Sequence, residues 1–229
     1  IPEVFVPEIG ENPVEYIDIL RNIVGFDRLS YTSEDYSRAK MYKAQVERKE
    51  LRSSVESLED FFKQLKSIAN ISIDNRSIVP RLANMTQKTN QFNLTTKRYH
   101  ENDILGFIES KDYSVYSMSL SDRFGDNGVV GLLIIEKHPE FWEIDTFLLS
   151  CRVMGRFAEN TLISKVFQDS IKENNRILKG KFLPTDRNAP VKDLYKSLGF
   201  TLETKSIDEE AWTIDLTESK IKYPEWIEV

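Results

Sequence analysis

The chain has 229 residues, 40% hydrophobic and 30% charged, the composition of a globular protein with length for one large or two small domains, which excludes a disordered or fibrous chain. Its 31 Lys and Arg stand against 37 Asp and Glu, a net charge of -6, so neither nucleic acid nor an anionic membrane is an expected partner. A single cysteine, Cys151, no cluster of metal-ligating residues around His100 and His138, and no apolar run long enough for a bilayer or a signal segment together predict a cytoplasmic protein without a structural metal.

The chain has no initiator Met and opens on Val4-Phe5-Val6, which reads as a strand already under way, so it is expected to be a piece of something longer. Asn12-Pro13 starts a short helix (Val14, Ile17, Leu20, Ile23) that stops at Gly25. Thr32-Ser33-Glu34-Asp35 starts a second, running to about Ser53, with an apolar stripe of Tyr36, Ala39, Tyr42 and Val46. Ser57-Leu58-Glu59-Asp60 opens a third, with Phe61, Phe62 and Leu65. Residues 1–68 are therefore expected to be a domain tail and helical connector.

From Ala69 strands alternate with helices. A strand is predicted at Ile71–Ile73, a helix over Ser77–Lys88, a polar loop or short helix over Thr95–Ile104, and a hairpin of Tyr113–Leu120 and Val129–Glu136 around a turn at Asp122–Gly128. Then come strand Glu143–Ser150, helix Phe157–Asn174, strand Ile177–Phe182, helix Ala189–Leu198 and strand Trp212–Leu216. This is an α+β layout, one mostly antiparallel sheet flanked by helices and preceded by a helical segment.

Two junctions carry candidate chemistry. The strand Phe147-Leu148-Leu149-Ser150 runs through Cys151-Arg152-Val153-Met154-Gly155-Arg156-Phe157 into a helix, whose unpaired N–H groups and flanking arginines suit a phosphate or pyrophosphate. Asn188-Ala189-Pro190 begins a helix that closes on Leu194-Tyr195-Lys196-Ser197-Leu198-Gly199-Phe200. Glu143 and Asp145, two apart on one strand and opposite Ile144, are candidate bases. Cys151 has no histidine to pair with and is read as structural.

In this order the two junctions resemble the GCN5-related N-acetyltransferase superfamily, in which an R/Q-x-x-G-x-G/A turn holds the pyrophosphate of coenzyme A. The resemblance implies that the backbone of Leu148, Leu149 and Ser150 pairs with a pantetheine arm, and that Arg152 and the stretch Met154, Gly155, Arg156, Phe157, Ala158 hold the pyrophosphate. It also implies that Asn188 contacts the cofactor, and that Tyr195 is a general acid for the leaving thiolate, with Glu143 or Asp145 as base. Phe157 departs from the pattern, a bulky residue where a small one normally stands.

A narrower resemblance rests on the strings Leu51-Arg52-Ser53-Ser54, Ser57-Leu58-Glu59-Asp60-Phe61, Thr86-Gln87-Lys88-Thr89-Asn90-Gln91-Phe92-Asn93-Leu94-Thr95-Thr96, Leu120-Ser121-Asp122-Arg123-Phe124-Gly125-Asp126-Asn127-Gly128 and Glu143–Val153. They look like the FkbH-like proteins, in which a haloacid-dehalogenase-type phosphatase domain precedes an acetyltransferase-like domain, some of them linked to methoxymalonyl-ACP biosynthesis. This implies an acyltransferase-like domain at 69–229, with acetyl-CoA, another acyl-CoA or the phosphopantetheine of an acyl carrier protein as donor. The phosphatase motif is absent, so no phosphatase activity is expected. Lys88, Asn90, Gln91, Asn93 and Thr95, joined by Arg123, are expected to face the acceptor, because a polar run around Phe92 has no reason to enter a core. Lys165, Lys172, Arg176, Lys179 and Lys181 form a candidate basic patch for an acidic carrier. The alternative, favoured by Phe157, is a catalytically silent module that binds a carrier protein or a substrate of the absent phosphatase domain.

Overall fold

The computed structural model describes residue 10 and residues 12–21, 33–217 and 222–229, with backbone alone for 33–39. The expected strand at Val4–Val6 and the helix stop at Gly25 lie outside them. The chain divides into two units, residues 1–43 and 44–229. In the first, the Asn12 side chain accepts the Val14 N–H and caps a 3₁₀ turn, Pro13–Glu15, that leads into helix α1, Tyr16–Arg21. Helix α2, Ser33–Ser54, begins in this unit and ends in the second.

In the second unit, Ser57 accepts the N–H of Asp60 and starts α3, Leu58–Leu65, which buries Phe62 and Leu65. The elements that follow are β1 (Ser67–Ile73), α4 (Val79–Lys88), α5 (Glu101–Glu109), β2 (Tyr113–Asp122), β3 (Gly125–Lys137) and β4 (Trp142–Leu149). After these come α6 (Ala158–Lys172), β5 (Ile177–Phe182), α7 (Leu194–Ser197), β6 (Thr201–Lys205), β7 (Glu210–Asp215) and β8 (Ile227–Glu228). The strands form one sheet in the order β6-β7-β5-β4-β3-β2-β1-β8, antiparallel except for β4 with β5 and β1 with β8. The α+β sheet flanked by helices is as the sequence predicts.

Three elements escaped the periodicity. Helix α5, where the sequence predicts a polar loop or short helix ending at Ile104, runs on to Glu109, and only Ile104 of its nine residues is fully buried. Strand β6 is exposed along its whole length and β8 has two residues, so neither carries an apolar signal. The helix expected over Ala189–Leu198 is instead a 3₁₀ turn, Ala189–Val191, followed by the single turn of α7.

The two faces of the sheet have separate cores. Leu132, Ile134 and Leu148 pack with α4 and α5, while Leu133, Ile135, Phe147 and Leu149 pack with α6 and α7, the alternation that a pleated strand imposes. A bulge at Asp145 breaks the β3–β4 register, since Ile135 faces Ile144 and Ile134 faces Thr146. Pairing of β4 with β5 spans only Trp142 to Ile144, so the two parallel strands part at the bulge.

Candidate functional site

The opening between β4 and β5 is filled by the chain itself. Leu149 donates its N–H to Phe92 O at 3.1 Å, Leu94 donates to Phe147 O at 3.1 Å, and Leu183 donates to Leu94 O at 2.8 Å. Asn188, wholly buried, donates from Nδ2 to the carbonyls of Asn93 (3.0 Å) and Leu183 (2.9 Å) and accepts the Thr185 N–H at 2.8 Å. Phe92, Asn93, Leu94 and Thr95 are all buried, so the string expected to stay out of the core is part of it. The groups of Phe147 and Leu149 that face away from β3 are thereby taken, Ser150 N–H binds Val130 O at 2.7 Å, and Leu148 pairs with Leu132 and packs on the α4 face. The expected pantetheine edge is closed here, and Asn188 holds the closure.

Two cavities flank this segment, and Phe92 and Pro190 line both. A groove of about 860 Å³ lies on the α4 side, bounded by Arg81, Lys88, Asn90, Gln91, Arg152 and Arg187 among others. The structure therefore brings the expected acceptor residues Lys88, Asn90 and Gln91 together with Ser150 and Arg152, expected on the cofactor. Cys151 also lines it and is exposed, not structural. Arg81 and Arg187, missed in the sequence, complete its charge.

A smaller cavity of about 250 Å³ lies between α6 and α7, lined by Met154, Gly155, Glu159, Asp193 and Ser197 among others. This is the expected pyrophosphate turn, with Gly155 at φ +71° and Phe157 at φ 60°, left-handed backbone that explains why small residues suit such a turn. Its charge is wrong for an anion. Arg156 turns away and is 8% exposed, its Nη2 2.6 Å from the fully buried Asp122 carboxylate, which Arg48 also binds at 2.8 and 3.0 Å. Glu159 takes the helix start instead. Burial pushes its carboxyl up, against the pull of its own backbone N–H, and its Oε2 has no partner among the described residues. Asp193 adds a second carboxylate. Ala158 is buried under the helix start. Phe157, expected to crowd the turn, points elsewhere, its ring 5.3 Å from those of Phe62 and Trp226.

The expected catalytic side chains line neither cavity. Tyr195 is 1% exposed, lies against Gly180 of β5, and burial pushes its phenol well above the ordinary range. It is a core tyrosine. Glu143 is ion-paired to Lys181 at 3.1 Å. Asp145 is turned by the bulge into a network: Lys97 binds Oδ1, Tyr99 donates to Oδ2 at 2.7 Å, and Thr146 donates to it at 2.9 Å. Asn93 shapes its own loop by accepting the Thr96 N–H and donating to Thr89 O, and Thr95 donates to Asp145 O. Arg123 lies over its neighbour Phe124 in a two-residue hairpin loop, outside the groove. In the five-residue basic patch three lysines have carboxylate partners: Lys165 and Lys172 share Asp169 and Lys181 binds Glu143, while Lys179 covers the Phe141 ring.

Compared by sequence, the chain matches no family model and no curated protein. Compared by structure, it is similar to the ribosomal-protein-S18-alanine N-acetyltransferase from Escherichia coli, with TM-score 0.50 and 13% identity over 65% of this chain and 94% of the other. It is likewise similar to the spermidine N-acetyltransferase from Vibrio cholerae in complex with CoA and spermine (0.52, 14%, 66% and 96%). A domain from Methanocaldococcus jannaschii gives 0.52 at 15% identity, over 65% and 99%. At these identities the likeness is one of fold: the sheet and its helices have the fold of the GCN5-related N-acetyltransferases.

Proposed function

We propose that this chain is the acetyltransferase-like part of an FkbH-like protein and moves an acyl group from a pantetheine thioester to an acceptor. The observation that carries this reading is the pair of cavities bounded by helices on opposite faces of the sheet, which meet at Phe92 where β4 and β5 part. Acyl transfer needs two substrates brought to one point from separate approaches. The thioester would enter between α6 and α7, and the acceptor along the groove beside α4. In the transfer, a nucleophilic amine, hydroxyl or thiol of the acceptor attacks the thioester carbonyl. The C–S bond breaks, the thiol leaves with a proton, and the nucleophile's own proton is released.

Glu159 and Asp193 argue for one kind of donor. Two carboxylates beside the α6 start disfavour the pyrophosphate of coenzyme A, so the turn does not fit that part of the cofactor. A pantetheine arm carried by an acyl carrier protein keeps its phosphate on the carrier, outside this cavity, and fits better. Because Phe92–Leu94 holds the β4 edge, the arm binds productively only when that segment yields.

The closed edge favours a second reading, in which the domain is catalytically silent and binds a carrier or a substrate for a phosphatase domain. Isothermal titration with acetyl-pantetheine, acetyl-CoA and an acetylated carrier, followed by assay of acyl transfer, separates the two. Binding of acetyl-pantetheine or carrier with release of free thiol supports transfer. Binding without thiol release, in the presence of amine, hydroxyl and thiol acceptors, supports the silent module, and no binding of any thioester to folded protein removes the first reading.

A further inference from the structure

The groove beside α4 carries an excess of positive charge. Arg81, Lys88, Arg152 and Arg187 all line it, against the single carboxylate Asp186, in a chain whose net charge is -6. Among the described residues none of the four cations takes part in an ion pair. Elsewhere Arg48, Lys97, Lys137, Arg156, Lys165 and Lys181 have carboxylate partners, whereas these four share one concavity.

Arg81 is also fixed. Its Nη2 and Nε donate to Val129 O at 2.9 and 3.3 Å, which commits one side of the guanidinium to the end of the sheet and leaves Nη1 without a bond among the described residues. Burial and then the positive charge of Arg152 lower its pKa, so the fold brings two like charges together and spends stability in doing so. Uncompensated like charges around a preformed concavity are characteristic of a site for an anion. Asn90 and Gln91 add uncharged hydrogen-bonding groups beside them.

We propose that this groove binds a phosphate monoester, its dianion held by Arg81 and Arg152 with Lys88 and Arg187 around it. Two guanidinium forks match the tetrahedral array of phosphate oxygens, and four cations against one carboxylate suit a doubly charged group better than a single carboxylate. The volume of about 860 Å³ leaves room for an organic body beyond the phosphate. The inference rests on the acyl-transfer reading only in that it makes the phosphorylated molecule the acceptor. The phosphate site itself stands if the domain proves silent. Two sources share this chemistry, free 4′-phosphopantetheine and another phosphorylated metabolite, whereas the arm on a carrier is a phosphodiester with a single charge.

Titration of the chain, followed by amide resonances and calorimetry, with methyl phosphate, 4′-phosphopantetheine and dephosphorylated pantetheine tests it. Methyl phosphate is expected to bind, to slow alkylation of Cys151, and to bind about tenfold more weakly to Arg152→Gln. Arg152 is exposed and its side chain takes part in no hydrogen bond or ion pair among the described residues, so this variant keeps its fold, and unchanged unfolding confirms that. Tighter binding of 4′-phosphopantetheine than of methyl phosphate names free 4′-phosphopantetheine as the source; equal or weaker binding names another phosphorylated metabolite. Equal affinity of pantetheine and 4′-phosphopantetheine, or unchanged methyl phosphate affinity in Arg152→Gln, overturns the proposal, as does no binding up to about 20 mM. Failure of acyl transfer with phosphate binding intact counts against the acyl-transfer reading alone.

Discussion

Leu149 donates its backbone N–H to the carbonyl of Phe92 at 3.1 Å, so the β4 edge beyond its pairing with β5 is bonded to the protein's own chain. The side chain that holds this arrangement is Asn188, whose amide serves the carbonyls of Asn93 and Leu183 and accepts from Thr185. Asn188→Ala leaves three backbone groups without this partner, Asn93 O in a buried place and Leu183 O and Thr185 N–H in partly buried ones, at a cost of about 2–3 kcal/mol. Urea unfolding should show that loss, and hydrogen exchange should quicken first at Leu94 and Leu149. If the segment is a gate, affinity for acetyl-pantetheine rises in this variant; a fall in affinity together with stability would make Phe92–Leu94 a permanent strand.

Glu159 gives a prediction of opposite sign. Burial raises its pKa above the ordinary 4.5, so the folded state binds the proton more tightly than the unfolded one. Its contribution is full below the ordinary glutamate range and is lost as pH rises through the folded value. Glu159→Gln should therefore be more stable than the parent at pH 7, equal to it under acid conditions, and better able to bind acetyl-CoA because one carboxylate has left the turn. Thermal unfolding across pH measures the first two, and a variant less stable at neutral pH would show that the ionised carboxylate is well solvated.

Most of the sheet was legible because its strands are apolar and bounded by turns: Tyr113–Leu120, Val129–Glu136 and Ile177–Phe182 all fall within observed strands. The Ser150–Phe157 turn and the segment after β5, the two stretches that the sequence singles out, line the two cavities. Their chemistry was not legible. Arg152 and Arg156 look equivalent in sequence, yet Asp122, 34 residues from Arg156, captures one and leaves the other in the groove. Glu143 and Asp145 share a face only if the strand is regular, and the bulge removes that regularity. The polar string around Phe92 looked external because its Asn and Thr side chains bond backbone groups nearby, a pairing that composition does not reveal.

Asp122 is the counterpart of Glu159. Burial alone would raise its pKa, but the hydrogen bond from Arg48 and the charge of Arg156 outweigh burial and hold it below the ordinary 3.8. A depressed carboxylate contributes stability that is present above its unfolded pKa and is lost as pH falls through the folded value. Asp122→Asn should flatten the acid limb of the stability profile below about pH 4. It should also destabilise at neutral pH by about 3 kcal/mol, since Arg156 then keeps a buried charge without its partner. Urea unfolding at pH 7 and pH 3 checks both, and an acid limb as steep as the parent's would locate the acid-sensitive carboxylate elsewhere.

Phe157 tests how far residue type alone decides the turn. Replacement by Gly removes a left-handed backbone penalty of about 1 kcal/mol, because φ is 60° there. It also removes a ring that is 37% exposed and packs on Phe62 and Trp226, a loss of about 2–3 kcal/mol for a partly buried aromatic. Packing outweighs strain, so Phe157→Gly should be less stable by about 1–2 kcal/mol, while Phe157→Leu, which keeps the strain and part of the packing, should lose a similar amount. Neither change reaches the cavity that Met154, Gly155 and Glu159 line, so affinity for acetyl-pantetheine should stay as it is. A gain of affinity in the Gly variant alone would mean that the turn's backbone, held open by the aromatic cluster, is what keeps the donor out.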